Sequence, residues 1–174
     1  MDTSAVFYAL NEELTTRRVK REFFICGGAA LIALKILKRA TQDVDVLKPV
    51  IDPTLKAAAE AVATTLQLKE GWLNNGPALL ANELPPGWEL RCIVVFQGSC
   101  LKVRAIGRKD LIYSKLYAAA DRMDDVDDLI SLEPSEIELE EARIWVLERD
   151  ASEIWPRVVT ECITEVKRKL ANAK

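Results

Sequence analysis

Apolar positions along the chain change period several times, and each change marks an element. Val6, Phe7, Leu10 and Leu14 recur at helical spacing, so a first helix is expected from a cap at Thr3 or Ser4 to about Thr16. Phe23 to Cys26 is a short apolar run, long enough for a buried strand, and Gly27-Gly28 breaks it. Ala29 to Leu37, rich in Ala and Leu, predicts a helix. A second strand follows, with Val44 and Val46 pointing into the core, and Pro49 and Pro53 end it. Thr54 to Leu68 reads as a helix, and Gly71 to Pro77 as an irregular loop. The segment 88–96 predicts a third strand. Gln97-Gly98-Ser99 signals a turn, and Cys100 to Ile106 predicts the hairpin partner, with Leu101, Val103 and Ala105 alternating against Lys102 and Arg104. Helices are expected at about 108–121 and 123–132. Two more complete the chain, one opened by a Ser135/Glu138 capping box and one containing Pro156 in its first turn.

This order predicts an α/β (α+β) fold, a small mixed sheet flanked by helices. The expected core is 1–132, with a C-terminal helical extension, 133–174, packed on it. At 174 residues the chain is long enough to bury a real core.

Composition narrows the chemistry. There is no histidine, so His-based triads, His-ligated zinc and His general bases are excluded. Cys26, Cys92, Cys100 and Cys162 form no Cys-x-x-Cys pair, which argues against zinc and a disulfide framework and favours a reducing cytoplasm. The start, Met1-Asp2-Thr3, has no signal-peptide pattern, and no apolar run reaches membrane-span length. A net charge of −3 does not advertise nucleic-acid binding by the whole surface. Arg17, Arg18, Lys20 and Arg21 read either as a solvated helix end or as a local basic rim.

The most informative stretch runs from Gly27-Gly28 through Arg39 and Thr41 to Asp43 and Asp45. On a strand, Asp43 and Asp45 share a face, and two adjacent carboxylates repel unless a cation sits between them. Oxygen-only ligands suit a hard cation, Mg²⁺ or Mn²⁺, especially beside phosphates. Paired glycines at a helix start allow a phosphate to approach backbone N–H groups. An isolated Asp-x-Asp or Gly-Gly is common on solvated surfaces; the ordered combination is far more specific.

That combination resembles the core motif of the nucleotidyltransferase superfamily, the DNA polymerase β-like fold. The form Arg39-x-Thr41-x-Asp43-x-Asp45 resembles the bacterial family that includes AbiEii-type toxins and the DUF6036 proteins. Lys115, followed by Arg122, Asp125, Asp128 and Leu129, is similar to that family's later motifs. The resemblance implies an Mg²⁺-dependent transfer of a nucleotide from a nucleoside triphosphate to an RNA (tRNA-like) or protein acceptor, and a role as the toxin of a toxin–antitoxin pair. It assigns catalysis to Asp43, Asp45, Lys115 and Asp125, substrate binding to Gly27, Gly28, Arg39, Thr41 and Arg122, and metal binding to Asp43 and Asp45. The superfamily's third acid lies on a later strand, where Glu89 is the only carboxylate of segment 88–96. Asp128 reads rather as part of an ion-pair network. The other reading is a catalytically degenerate fold retained as a nucleotide- or protein-binding module.

Overall fold

A computed structural model describes residues 1–122 and 126–172. The chain divides into two compact units, Met1–Gly107 and Arg108–Lys174.

In the first unit, α1 (Thr3–Thr16) leads to β1 (Arg21–Cys26), α2 (Gly27–Ala33), β2 (Val44–Lys48) and α3 (Pro53–Leu66). Then come β3 (Leu73–Asn74), the single turns α4 (Leu80–Glu83) and α5 (Trp88–Arg91), and the hairpin β4 (Ile93–Gln97) and β5 (Leu101–Ala105). The sheet is mixed, in the order β3-β2-β1-β5-β4. β1 runs antiparallel to β2 and parallel to β5, and β2 runs parallel to β3. Phe23, Ile25, Val44, Val46, Leu101 and Val103 are fully buried, together with Phe7, Leu10 and Leu14 of α1 and Leu55 and Val62 of α3. The intervening positions of β1, β2 and β5 (Glu22, Phe24, Asp45, Lys48, Lys102 and Arg104) are less buried, so the sheet has one apolar and one mixed face.

A bulge shapes β2. Phe24 pairs with Lys48 and Ile25 with Val46, which leaves Leu47 as the extra residue. A side chain asparagine locks the neighbouring edge. Asn75 Nδ2 donates to the Val46 and Pro49 carbonyls, and its Oδ1 accepts from Ile51 N at 2.7 Å. Trp72 Nε1 donates to the Ala59 carbonyl, tying the approach to β3 onto α3.

Several expectations are corrected. Asp2, not Thr3 or Ser4, caps α1, its carboxylate accepting from Ser4 N. Helix α2 stops at Ala33 rather than Leu37. Lys35 adopts φ +62°, and the amides of Lys35 and Ile36 bond back to the Ile32 and Leu31 carbonyls, the closure of a left-handed helix cap. The segment 88–96 is not one strand: α5 occupies its start, because Pro85-Pro86-Gly87 turns the chain and Gly87 takes φ +78°.

The second unit holds α6 (Arg108–Arg122), α7 (Val126–Ser131), α8 (Glu136–Leu147) and α9 (Trp155–Asn172). Ile112, Leu116, Leu129, Leu139, Val146, Val159 and Cys162 are buried in it. The helices expected at 108–121 and 123–132 therefore belong with the C-terminal pair, and the division falls after Gly107 rather than at 132/133. The reason is packing: α6 contacts α7, α8 and α9. The Ser135/Glu138 capping box is present. Among the described residues no helix is long and apolar enough to cross a membrane.

Candidate functional site

The turn from β1 into α2 sets the site. Cys26, the last residue of β1, pairs with Asp45 across the antiparallel ladder, so Gly27 comes next to Asp45. Gly27 has φ +65°, and a Cβ placed on it would lie 2.7 Å from Asp45 Oδ2. The Asp45 carboxylate thus lies against bare glycine backbone, a closeness that a larger residue would prevent. A Cβ on Gly28 would lie 3.5 Å from Thr41 Oγ1 and 3.6 Å from Arg39 Nη2. Five of the sequence-selected residues, Gly27, Gly28, Arg39, Thr41 and Asp45, are therefore gathered at one end of the sheet.

Each is held for a local reason. Thr41 is buried, and its hydroxyl donates to the Asp43 carbonyl at 3.1 Å, which fixes the chain as it enters β2. Asp45 sits within β2 between buried Val44 and Val46. Arg39 is exposed. Asp43 lies one residue before β2, half-buried, and its carboxylate meets Lys69 Nζ at 3.3 Å. Lys69 thus offsets the charge of Asp43; both partners are partly exposed, so the pair contributes little stability.

The other candidates lie on other elements. Glu89 lies on α5 and forms an ion pair with Lys48. Lys48 Nζ also stands 5.2 Å from the Phe24 ring centre and 5.0 Å from that of Trp88. Among the described residues no three Cys, Asp or Glu side chains are gathered as a metal-binding set, so Glu89 does not join Asp43 and Asp45. Lys115 belongs to the second unit, where its Nζ lies 2.7 Å from Asp128 Oδ2 with both side chains buried. Arg122 ends α6 and is exposed. Asp125 lies outside the described residues.

Sequence reasoning missed two neighbours. Lys69 was unremarkable at the end of a predicted helix. Asn74 lay in a run read as loop, yet it forms the edge strand β3 as the direct register partner of Asp45. A cleft of about 680 Å³ between α3 and the approach to β3 is lined by Lys56, Ala59, Glu60, Leu68, Trp72 and Asn75 among others. None of the motif residues lines it, so it is not the site built here.

The donor set fits a hard divalent cation. It offers two aspartates and a glycine turn without side chains, and Mg²⁺ is commonly held by one or two carboxylates plus the phosphates of its substrate. A family described as nucleotidyltransferase of unknown function, DUF6036, matches residues 4–152. No curated protein and no solved structure matches.

Proposed function

The chain belongs to the DUF6036 nucleotidyltransferase family, and from that membership we propose that it moves a nucleotidyl group from a nucleoside triphosphate to an acceptor. One observation carries the placement: the Asp45 carboxylate lies against the Gly27 backbone, with Gly28, Thr41 and Arg39 beside it. In this reading the bare turn at Gly27 and Gly28 lets phosphate oxygens approach the main chain, and the Arg39 guanidinium neutralises them. Asp43 and Asp45 hold Mg²⁺ or Mn²⁺, and the Thr41 hydroxyl fixes the backbone that presents both. When bound, the cation polarises the phosphoryl oxygen and steadies the charge that builds on it.

The reaction balances simply. The acceptor hydroxyl oxygen bonds to the α-phosphorus, the bond from that phosphorus to the oxygen bridging the β-phosphate breaks, and pyrophosphate leaves. The hydroxyl proton passes to solvent or to a nearby carboxylate. Orientation of the two reactants on one rigid sheet end is the main contribution asked of these residues.

The finer reading makes the acceptor an RNA of tRNA type or a protein, in the cytoplasm, with the protein acting as the toxin of a pair held by an antitoxin. It is supported by the Arg39-x-Thr41-x-Asp43-x-Asp45 motif. Its test is transfer of label from each of the four nucleoside triphosphates, with Mg²⁺ and total RNA or protein extract, beside an Asp43→Ala/Asp45→Ala variant. Label on one acceptor class that the variant fails to produce is the expected result. No transfer, together with no cation-dependent nucleotide binding, sinks the reading. The absence of a three-acid cluster among the described residues favours a second reading, a nucleotide-binding module without turnover, which binds nucleotide in the same experiment but transfers no label.

A further inference from the structure

We propose that the cleft between α3 and the β3 edge holds the acceptor, an extended protein segment that adds to the sheet as a further strand and carries the hydroxyl to be modified. The inference rests on the nucleotidyltransferase reading above and narrows its acceptor to protein.

The cleft has the form of a strand-addition groove. β3 ends the sheet, so among the described residues no strand pairs its outer edge. Its ladder with β2 uses the residues on either side of Leu73, Val44 N donating to the Trp72 carbonyl at 2.6 Å, which turns the N–H and C=O of Leu73 outward. Leu73 lines the cleft. The facing wall is one side of α3, where Lys56, Ala59, Glu60, Ala63 and Thr64 recur at helical spacing. The small side chains of Ala59 and Ala63 leave room between that helix and the edge, a cleft of about 680 Å³. From Lys56 to Thr64 the helix rises about 12 Å, the reach of about four extended residues. A sheet edge beside a helix is the geometry by which extended peptides are bound through their main chain.

Position ties the cleft to the transfer site. Its lining residues Leu68 and Glu70 flank Lys69, whose Nζ meets the Asp43 carboxylate at 3.3 Å. Leu73 and Asn74 pair with Val44 and Asp45, so a strand laid along β3 shares the rows of the sheet that carry the site. Neighbouring residues of a strand point to opposite faces. A residue whose side chain enters the cleft beside Leu73 is therefore followed by one on the Asp45 face, two strand spacings, about 10 Å, from Asp45. A serine, threonine or tyrosine at that position presents its oxygen on the face where the nucleotide is held.

Charge chooses protein over nucleic acid. The charged side chains of the cleft are Lys56, Glu60 and Glu70, one cation against two anions. Glu60 and Glu70 enter no ion pair among the described residues. A phosphate chain is repelled there, whereas a peptide with an apolar anchor and a basic flanking residue is complementary. The step balances as before: the peptide hydroxyl oxygen bonds to the α-phosphorus, its proton passes to solvent or a nearby carboxylate, and pyrophosphate leaves.

The test incubates the full chain with Mg²⁺ and each α-labelled nucleoside triphosphate, in one tube with a library of short peptides holding a fixed Ser, Thr or Tyr, in another with total RNA. Wild type is compared with Ala63→Phe, which fills the cleft from α3, and with Glu60→Lys/Glu70→Lys, which reverses its charge. Thermal melting and the affinity for a fluorescent nucleotide analogue in Mg²⁺ are measured for all three. Wild type is expected to label peptides with an apolar residue beside the hydroxyl and a basic one beyond it. Each variant is expected to lower that labelling about tenfold with nucleotide affinity unchanged. An N-methyl scan of the best peptide is expected to lose labelling at alternate positions, since every second N–H of a strand faces its partner. Nucleotide binding by wild type with no labelled peptide overturns the inference, and label on RNA then names the other acceptor. Peptide labelling unchanged in Ala63→Phe overturns it too; should that variant fail to fold, the charge variant decides in the same way. Absence of cation-dependent nucleotide binding in wild type instead overturns the transferase reading, and this inference with it.

Discussion

Gly27 is the residue on which the site's geometry turns. Its φ of +65° is a region where an L-residue costs about 1–2 kcal/mol, and a methyl group there would meet Asp45 Oδ2 at 2.7 Å. Gly27→Ala is therefore expected to lower stability by about 1–2 kcal/mol and to abolish cation-dependent nucleotide binding, because Asp45 must swing aside. A fluorescent nucleotide analogue titrated in Mg²⁺ checks the second effect, and a urea melt the first. Wild-type affinity in this variant would show that no ligand uses the turn. At this scale the sequence was informative: Gly27, Gly28, Arg39, Thr41 and Asp45 were chosen by order and spacing, and the fold gathers them. Lys69 and Asn74 were invisible because neither belongs to a motif; only the pairing of strands puts Asn74 beside Asp45.

Among elements, α6 and α7 are joined by a buried charge pair. Lys115 Nζ and Asp128 Oδ2 are 2.7 Å apart with side chains 8% and 7% exposed. Removing one partner of such a pair typically costs about 3–5 kcal/mol, since a carboxylate remains in a poorly solvated place. Lys115→Met should thus shift the urea midpoint of the second unit down by a corresponding amount, and Lys115→Met/Asp128→Leu should recover most of the loss. A Lys115→Met protein as stable as wild type would remove the pinning role. The same lesson applies to segment 88–96, whose apolar run suggested one strand. Pro85-Pro86-Gly87 instead starts a helical turn, which carries Glu89 to Lys48. Periodicity located these elements; it did not tell a four-residue helix from the start of a strand.

Across the whole molecule, each unit carries a carboxylate held well below its usual range. The Arg21 side chain, hydrogen-bonded to Asp52, holds that carboxyl at about 2 against an ordinary 3.8. The Arg108 side chain does the same for Glu138, at about 2 against 4.5. Depressed folded values stabilise above the ordinary value and lose that stabilisation as pH falls toward the folded one. Both units should therefore lose stability between about pH 4.5 and 2, modestly because both ion pairs are partly exposed. Asp52→Asn should flatten the melting profile of the first unit over that range, and Glu138→Gln that of the second; unchanged profiles would refute the assignment. By itself the sequence determined the longer helices, most strands, the glycine turn and its acids, because these depend on local period and residue type. Tertiary structure alone decided the division after Gly107, the sheet order β3-β2-β1-β5-β4 and the partners of Asp43, Asp45 and Glu89. Those depend on which distant segments share a core or a ladder, and strand register is a property of two segments together, which no single stretch of sequence carries.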